Sequence, residues 1–106
     1  PDDDAGQHFG AFEEEKLVAV ISLFIDPAGG ARFRKFATDP AWQGRGIGTA
    51  LLRHTIAAAV AQGAPLLWCD ARHTTLAFYE RFGLLPEGDI FYKGPIAYVR
   101  LQRALP

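Results

Sequence analysis

The stretch Ala41-Trp42-Gln43-Gly44-Arg45-Gly46-Ile47-Gly48-Thr49-Ala50-Leu51-Leu52 alternates three glycines with larger residues and then continues as an apolar, alanine-rich segment. A strand-like run over residues 32–38 precedes it, so the glycines are predicted to lie in a strand-to-helix turn. The first amides of a helix have no partners within the helix, and the helix dipole gives them partial positive charge. Glycine also lets the main chain approach a ligand without a Cβ in between. The segment therefore predicts an anion site suited to a phosphate or a diphosphate.

Two well-known nucleotide motifs do not fit this spacing. A P-loop requires Lys followed by Ser or Thr after its last glycine, whereas Gly48 is followed by Thr49-Ala50. The Rossmann fingerprint requires Gly-x-Gly-x-x-Gly and an acidic residue about 20 positions later. Here the pattern is Gly-x-Gly-x-Gly, and residues 62–67 contain no acid. A tight turn without a ligand, in another kind of α/β protein, stays open as an alternative.

The segment Gln43-Gly44-Arg45-Gly46-Ile47-Gly48 resembles the Gln/Arg-x-x-Gly-x-Gly/Ala signature of the GNAT acetyltransferase superfamily. In that family the turn holds the pyrophosphate of acetyl-coenzyme A (acetyl-CoA). Residues 39–42 resemble the usual approach to the turn, and residues 49–52 resemble the helix that follows. Downstream, Phe78-Tyr79-Glu80-Arg81-Phe82-Gly83-Leu84 looks like the family's F-Y-E-x-x-G-F segment. The resemblance covers residues 9–101, nearly the whole chain.

Size and composition favour one compact domain over residues 1–106. The chain has 106 residues, 49% of them hydrophobic, and 11 basic against 12 acidic side chains. This balance predicts neither a nucleic-acid partner nor a membrane surface. The single cysteine, Cys69, excludes an intramolecular disulfide. No apolar run approaches the ~18 residues of a membrane span.

The start of the sequence carries two further expectations. Residues 1–4, Pro-Asp-Asp-Asp, are acidic where a signal peptide would be basic, so a cytoplasmic protein is expected. The chain contains no Met, so it is expected to be a fragment or a trimmed chain.

Hydrophobic patterning predicts an order of strand, strand, strand, helix, strand, helix, strand, strand. The predicted strands are residues 8–12, 17–25, 32–38, 66–70, 84–92 and 95–103, with helices over residues 46–62 and 74–82 and a turn over residues 26–30. The last two strands are predicted to form a hairpin around Lys93-Gly94. In the third strand, Lys35 breaks the alternation, and Phe33 is predicted to face away from Phe36, Thr38 and the arginines Arg32 and Arg34.

The strand, helix and strand on either side of the glycine turn predict a right-handed crossover with two parallel strands. The resemblance implies the GNAT fold, an α/β (α+β) class in which a mixed, mostly antiparallel sheet has a central splayed parallel pair and helices on its faces. Relative to that family, the first strand and helical pair are absent from this sequence. We hypothesise that strand exchange or a homodimer covers the exposed edge.

The resemblance also implies how acetyl-CoA would be held. The amides of the glycine turn would meet the pyrophosphate, with charge-assisted contact from Arg45. The strand before the turn would contact the pantetheine arm and the thioester carbonyl. Arg72 stands where many members have an Asn that contacts the cofactor, and it is expected either to reach a phosphate or to be solvated. The candidate cofactor-binding residues are Phe36, Ala37, Thr38, Gln43, Gly44, Arg45, Gly46, Ile47, Gly48, Thr49 and Arg72.

Three side chains are candidates for the chemistry. Tyr79 matches the family position at which a tyrosine hydroxyl protonates the departing thiolate, and a phenol is a suitable donor. Asp70 and His73 are candidates for the base by position alone. Cys69 is expected to be a buried strand residue, since no pattern places an activating group beside it. No spacing of His, Cys or Asp predicts a metal site.

The predicted function is an N-acetyltransferase in which a primary amine directly attacks acetyl-CoA. A polyamine, an aminoglycoside-like amine, an amino acid and a protein N-terminus all stay open as acceptors. Two alternatives from other classes are a non-catalytic CoA-binding or regulatory module and an unrelated nucleotide-binding module.

Overall fold

The computed structural model describes residues 6–26 and 30–106, which form a seven-stranded mixed sheet with two helices. The strands are β1 (Gln7–Glu13), β2 (Lys16–Ile25), β3 (Gly30–Thr38), β4 (Leu66–Arg72), β5 (Leu85–Pro86), β6 (Phe91–Lys93) and β7 (Ile96–Ala104), and the helices are α1 (Ile47–Ala61) and α2 (Leu76–Glu80). Short 3-10 turns cover Pro40–Trp42 and His73–Thr75. Most of the turn predicted over residues 26–30 lies outside the described residues.

The sheet has the order β1-β2-β3-β4-β7-β5, with β6 also pairing with β7. Every pairing is antiparallel except that between β3 and β4. This parallel pair begins at Gly30 and Leu66 and already ends at Arg32 and Trp68, although both strands continue. The predicted mixed sheet with a central splayed parallel pair is therefore confirmed.

A β-bulge in β3 changes which side chains share a face. Val20 of β2 pairs with Ala37, whereas Ser22 pairs with Arg34, so one residue of β2 lies opposite two residues of β3. Lys35, in the bulge, has a positive φ of 56°. An extra residue shifts the alternation by one position.

The face predicted for Phe36 and Thr38 was wrong for this reason. The ring of Phe36 lies 6.2 Å from that of Phe33, centroid to centroid, so the two share a face. Both Phe36 and Thr38 contact the start of α1, as the approach of Gly48 shows. Arg32 and Arg34 lie on the other face, as predicted.

Helix α1 packs an apolar stripe against the sheet. Its buried residues recur every three or four positions, as an amphipathic helix requires, and they are Leu51, Leu52, Thr55, Ile56 and Ala59. The buried Thr55 hydroxyl donates to the Leu51 carbonyl at 2.9 Å, so this polar group is satisfied. The predicted limits of the helix, Gly46 and Gln62, are its two flanking cap residues. No helix in the described ranges is long and apolar enough to cross a membrane.

The predicted strand over residues 84–92 is divided into β5 and β6, which both pair with β7. Pro86 pairs with Leu101, and the Glu87 amide still donates to the Arg100 carbonyl at 2.8 Å. The ladder is interrupted after this point, where Gly88 has a φ of 86°. The hairpin around Lys93-Gly94 is confirmed, since Lys93 pairs with Ile96. The second helix is shorter than predicted because its first turn is 3-10.

We predict that Leu52→Ala destabilises the fold by about 3 kcal/mol, because truncation of a fully buried leucine leaves a cavity between α1 and the sheet. Leu85→Ala is the matched control, since Leu85 is 51% exposed, and its effect should stay within about 0.5 kcal/mol. Urea unfolding followed by circular dichroism measures both. Equal losses would contradict the assignment of the core.

Candidate active site

The divergence of β3 and β4 opens a cleft of about 1020 Å³. Residues 33–38 of β3 form one wall and residues 69–72 at the end of β4 form the other. The glycine turn and α2 complete the cleft. Its volume lies at the upper end of the range typical for small-molecule sites.

The glycine turn presents free main-chain amides to this cleft. Gly46, the N-cap of α1, has a φ of 80° and no side chain caps the helix. The first helical hydrogen bond is donated by Ala50, so the amides of residues 47–49 have no partner within the helix. Gly44 and Gly46 both line the cleft, and a Cβ on either would meet no atom within 4 Å. This geometry fits an anionic group that needs close main-chain contact.

Two contacts hold the turn against β3. The Gln43 side-chain amide donates to the Thr38 carbonyl at 3.1 Å. A Cβ on Gly48 would lie 3.4 Å from Thr38 Oγ1 and 3.5 Å from Phe36 Cζ, so the glycine lets α1 begin directly beside the strand. Gly48 was predicted to let a ligand approach the main chain, and it also lets α1 pack closely against β3.

A third contact precedes the turn. The Asp39 carboxylate accepts from the Ala41 amide at 2.9 Å and pairs with Lys16 at 3.4 Å. The Ala41 hydrogen bond is the main reason that the pKa of Asp39 is lowered. This carboxylate therefore stays ionised and keeps the 3-10 turn at Pro40–Trp42 in place.

Most of the predicted cofactor-binding residues meet at the cleft. Those that line it are Phe36, Ala37, Thr38, Gln43, Gly44, Gly46, Gly48, Thr49 and Arg72. Two do not: the Arg45 guanidinium lies over the Trp42 ring, 4.8 Å from its centroid, and Ile47 packs against the hydrophobic core.

Tyr79 lies in the cleft within an aromatic cluster. Its ring centroid is 5.2 Å from that of Phe78, 6.0 Å from that of Phe33 and 6.4 Å from that of Phe36. Burial, together with the nearby Cys69, raises the pKa of the phenol. The hydroxyl therefore stays protonated at neutral pH, and the raised pKa makes it a weaker acid than a solvated phenol.

Asp70 lies in the cleft lining with both of its oxygens engaged. Arg32 Nη2 lies 3.2 Å from Oδ2 and Arg100 Nε lies 3.3 Å from Oδ1. The two guanidinium groups stack on the Trp68 ring, at 4.4 and 4.0 Å from its centroid. A carboxylate held in this way is better suited to fixing the arginines than to accepting a proton.

His73 is not brought into the site. It begins an exposed 3-10 turn and does not line the cleft. Cys69 lies at the cleft but is buried, and desolvation raises the pKa of its thiol to about 12. A thiol in that state is a poor nucleophile, which agrees with the structural role predicted for it. Within residues 6–26 and 30–106 no cluster of His, Cys, Asp or Glu is arranged to hold a metal ion.

Sequence reasoning missed several residues of the cleft wall, namely Phe33, Arg34, Lys35, Trp42, Thr75, Phe78, Arg81 and Tyr98. Phe33 and Arg34 could have been found, since they begin the part of β3 from which cofactor contacts were predicted. Tyr98 could not, because only the pairing of β7 with β4 brings it opposite Arg72.

Comparison with known proteins agrees with this geometry. The model of the acetyltransferase (GNAT) family matches residues 1–84. An uncharacterized N-acetyltransferase of Bacillus subtilis (strain 168), YitI, is 26% identical over 90 residues. The match covers 79% of this chain, which spans only 60% of the length of that relative.

Solved structures share the fold at low identity. A Bacillus subtilis acetyltransferase in complex with CoA superposes with a TM-score of 0.83 at 18% identity, over 97% of this chain and 79% of that one. A GNAT family acetyltransferase from Elizabethkingia anophelis with acetyl-CoA bound gives a TM-score of 0.83 at 16% identity, over 96% and 78%. The chain belongs to the acetyltransferase (GNAT) family.

Proposed function

We propose that the protein is an N-acetyltransferase that transfers the acetyl group of acetyl-CoA to a primary amine by direct attack. The observation that carries the proposal is the uncapped start of α1, which opens into a cleft between diverging strands that also contains a protonated tyrosine. Acetyl transfer from acetyl-CoA requires a site for the diphosphate, a cleft for the extended pantetheine arm and a proton donor for the thiolate.

In this proposal the cosubstrate enters on the face of the sheet that carries α1. The amides of residues 47–49 and the open positions at Gly44 and Gly46 would bind its diphosphate. Beyond Arg32, β3 has no parallel pairing with β4, so its main chain is available to the pantetheine amides. The solved relatives with CoA and acetyl-CoA bound support this choice of ligand.

The reaction forms one bond and breaks another. The neutral amine nitrogen attacks the thioester carbonyl carbon, a C–N bond forms and the C–S bond breaks. Tyr79 gives its proton to the departing thiolate, and burial in the aromatic cluster keeps that proton on the phenol until then. The attacking nitrogen loses a proton to solvent, and the phenol regains one from solvent.

The ion pairs of Asp70 with Arg32 and Arg100 have two consequences for the proposed reaction. Among the described residues that line the cleft it is the one carboxylate, and both of its oxygens bind arginines. The amine is therefore expected to reach the site already neutral, or to lose its proton to solvent at the cleft mouth. The same observation favours a second candidate, a CoA-binding module of this fold without turnover.

We predict that Gly46→Ala weakens acetyl-CoA binding by at least about tenfold, because the added Cβ enters the space of the diphosphate. Gly63→Ala is the matched control, since Gly63 follows α1 with a φ of 77° and equally open surroundings. Both variants place an alanine at a positive φ, which costs about 1 kcal/mol. Isothermal titration of acetyl-CoA into both therefore shows whether the loss of affinity is specific to Gly46→Ala. Unchanged affinity in Gly46→Ala would move the site elsewhere.

Replacement of the proposed acid should affect turnover more than affinity. Tyr79→Phe is expected to lower kcat about 10- to 100-fold with little change in the KM for acetyl-CoA, because only the proton donor is removed. Tyr92→Phe, at a side chain that is 68% exposed, should behave like the parent protein. Thiol release with an active amine measures both, and an unchanged kcat in Tyr79→Phe would reject this role.

A further inference from the structure

Residues from both faces of the sheet line the cleft, so we treat it as having an opening on each face, and the side chains at the two openings differ. Phe33, Phe36 and Tyr79 lie on the face that carries α1. Arg34 and Asp70 lie on the opposite face. The ion pair with Arg32 places Asp70 there, and Arg34 shares the face of Arg32 because it lies two positions later in β3. If the cosubstrate occupies the α1 side, as proposed above, an amine reaches the thioester through the opposite opening.

This opposite opening is strongly basic. Arg34 and Arg72 line it, and neither forms an ion pair with any residue in the described ranges. Arg32 and Arg100 lie beside them, and both already bind the single carboxylate, Asp70. Two guanidinium groups therefore occupy both oxygens of the one carboxylate, and two further arginines line the same side of the cleft without an ion pair among the described residues.

Arg32 lies within reach of the charges of Arg34 and Arg100, although burial is the main cause of its lowered pKa. Burial lowers the pKa of its guanidinium, Asp70 raises it, and the charges of Arg34 and Arg100 lower it further. The Nε atom of Arg32 is buried and has no hydrogen-bond partner among the described residues. An incoming anion would relieve the repulsion between these arginines.

The hairpin of β6 and β7 contributes Tyr98 to the lining of the cleft. Tyr98 lies opposite Arg72 in the ladder and stacks on Phe91, with ring centroids 6.0 Å apart and planes 23° from parallel. Lys93 Nζ lies over the Tyr98 ring at 4.6 Å from its centroid. Tyr98 thus adds an aromatic surface to the cleft, and no acidic side chain of the hairpin lines the cleft.

We propose that the acceptor is an amine that also carries a carboxylate or phosphate group, which binds between Arg34 and Arg72 while the amine reaches the thioester. The inference rests on the proposed function and names its substrate class. Polyamines and aminoglycoside-like amines fit poorly, because they would bring several cations into an opening that is already basic. An amino acid or a phosphorylated amine supplies the missing negative charge.

The test compares pairs of amines that differ in this charge, assayed by thiol release at saturating acetyl-CoA. β-Alanine is paired with β-alaninamide, and O-phosphoethanolamine with ethanolamine, and rates are expressed per neutral amine. The anionic member of at least one pair should have a kcat/KM higher by about tenfold or more. The two pairs separate a carboxylate from a phosphate acceptor.

Arg34→Gln should remove most of this preference, lowering kcat/KM for the anionic member about tenfold more than kcat/KM for the neutral member. Arg53→Gln is the matched control, because Arg53 is exposed on α1 and does not line the cleft. Equal rates within both pairs, faster acetylation of spermidine, or an unaltered preference in Arg34→Gln would overturn the inference.

A binding measurement separates failure of this inference from failure of the proposed function. Each amine is titrated into the protein saturated with CoA, by calorimetry. If CoA binds but no amine releases thiol, acetyl transfer is rejected, while tighter binding of the anionic members still supports the charge selectivity. If the two members of each pair bind equally, or neither binds, the charge selectivity is rejected whatever the turnover.

Discussion

The early end of the parallel pairing between β3 and β4 is the constraint on which the rest of the site depends. Pairing stops at Arg32 and Trp68, and each strand continues for several more residues. Main-chain groups that lose their sheet partner must be satisfied in another way, and a bound ligand with amides of its own is one such partner. The bulge at Lys35 assists the separation, since a bulge bends its strand, and it brings Phe36 to the α1 side of the cleft. A structural irregularity in the sheet thus creates the binding surface.

The different chemical character of the two openings follows from the alternation of side chains along the strands. On the α1 side, an aromatic cluster surrounds Tyr79 and keeps its hydroxyl protonated. On the other side, alternate residues of β3, β4 and β7 place Arg32, Asp70 and Arg100 around Trp68. The same backbone periodicity therefore gives one apolar opening and one basic opening, which suits a reaction between two chemically different substrates.

Much of this arrangement could be predicted from the sequence, and the failures have physical causes. The fold was predicted correctly. The glycine turn and the helix after it follow from a short stretch of sequence, and the splayed pair was implied by the family resemblance. The face of Phe36 was predicted wrongly, because the left-handed backbone of Lys35 cannot be recognised from the alternation of hydrophobic and polar residues. The engagement of Asp70 was missed because its partners Arg32 and Arg100 are 38 and 30 residues away in sequence, and only the strand order brings them together. Short-range patterns report turns and helix ends well, whereas ion pairs across a sheet depend on its topology.

The central claim is that the free amides opening α1 bind the diphosphate of CoA. Titration of the ¹⁵N-labelled protein with CoA tests it most directly, because amide chemical shifts respond to hydrogen bonds at individual residues. We expect the largest shifts at Gly44, Gly46, Gly48 and Thr49, with smaller ones along the end of β3. Largest shifts around the other pocket, at Arg53, Gly83 and Arg103, with the glycine turn unaffected, would contradict it.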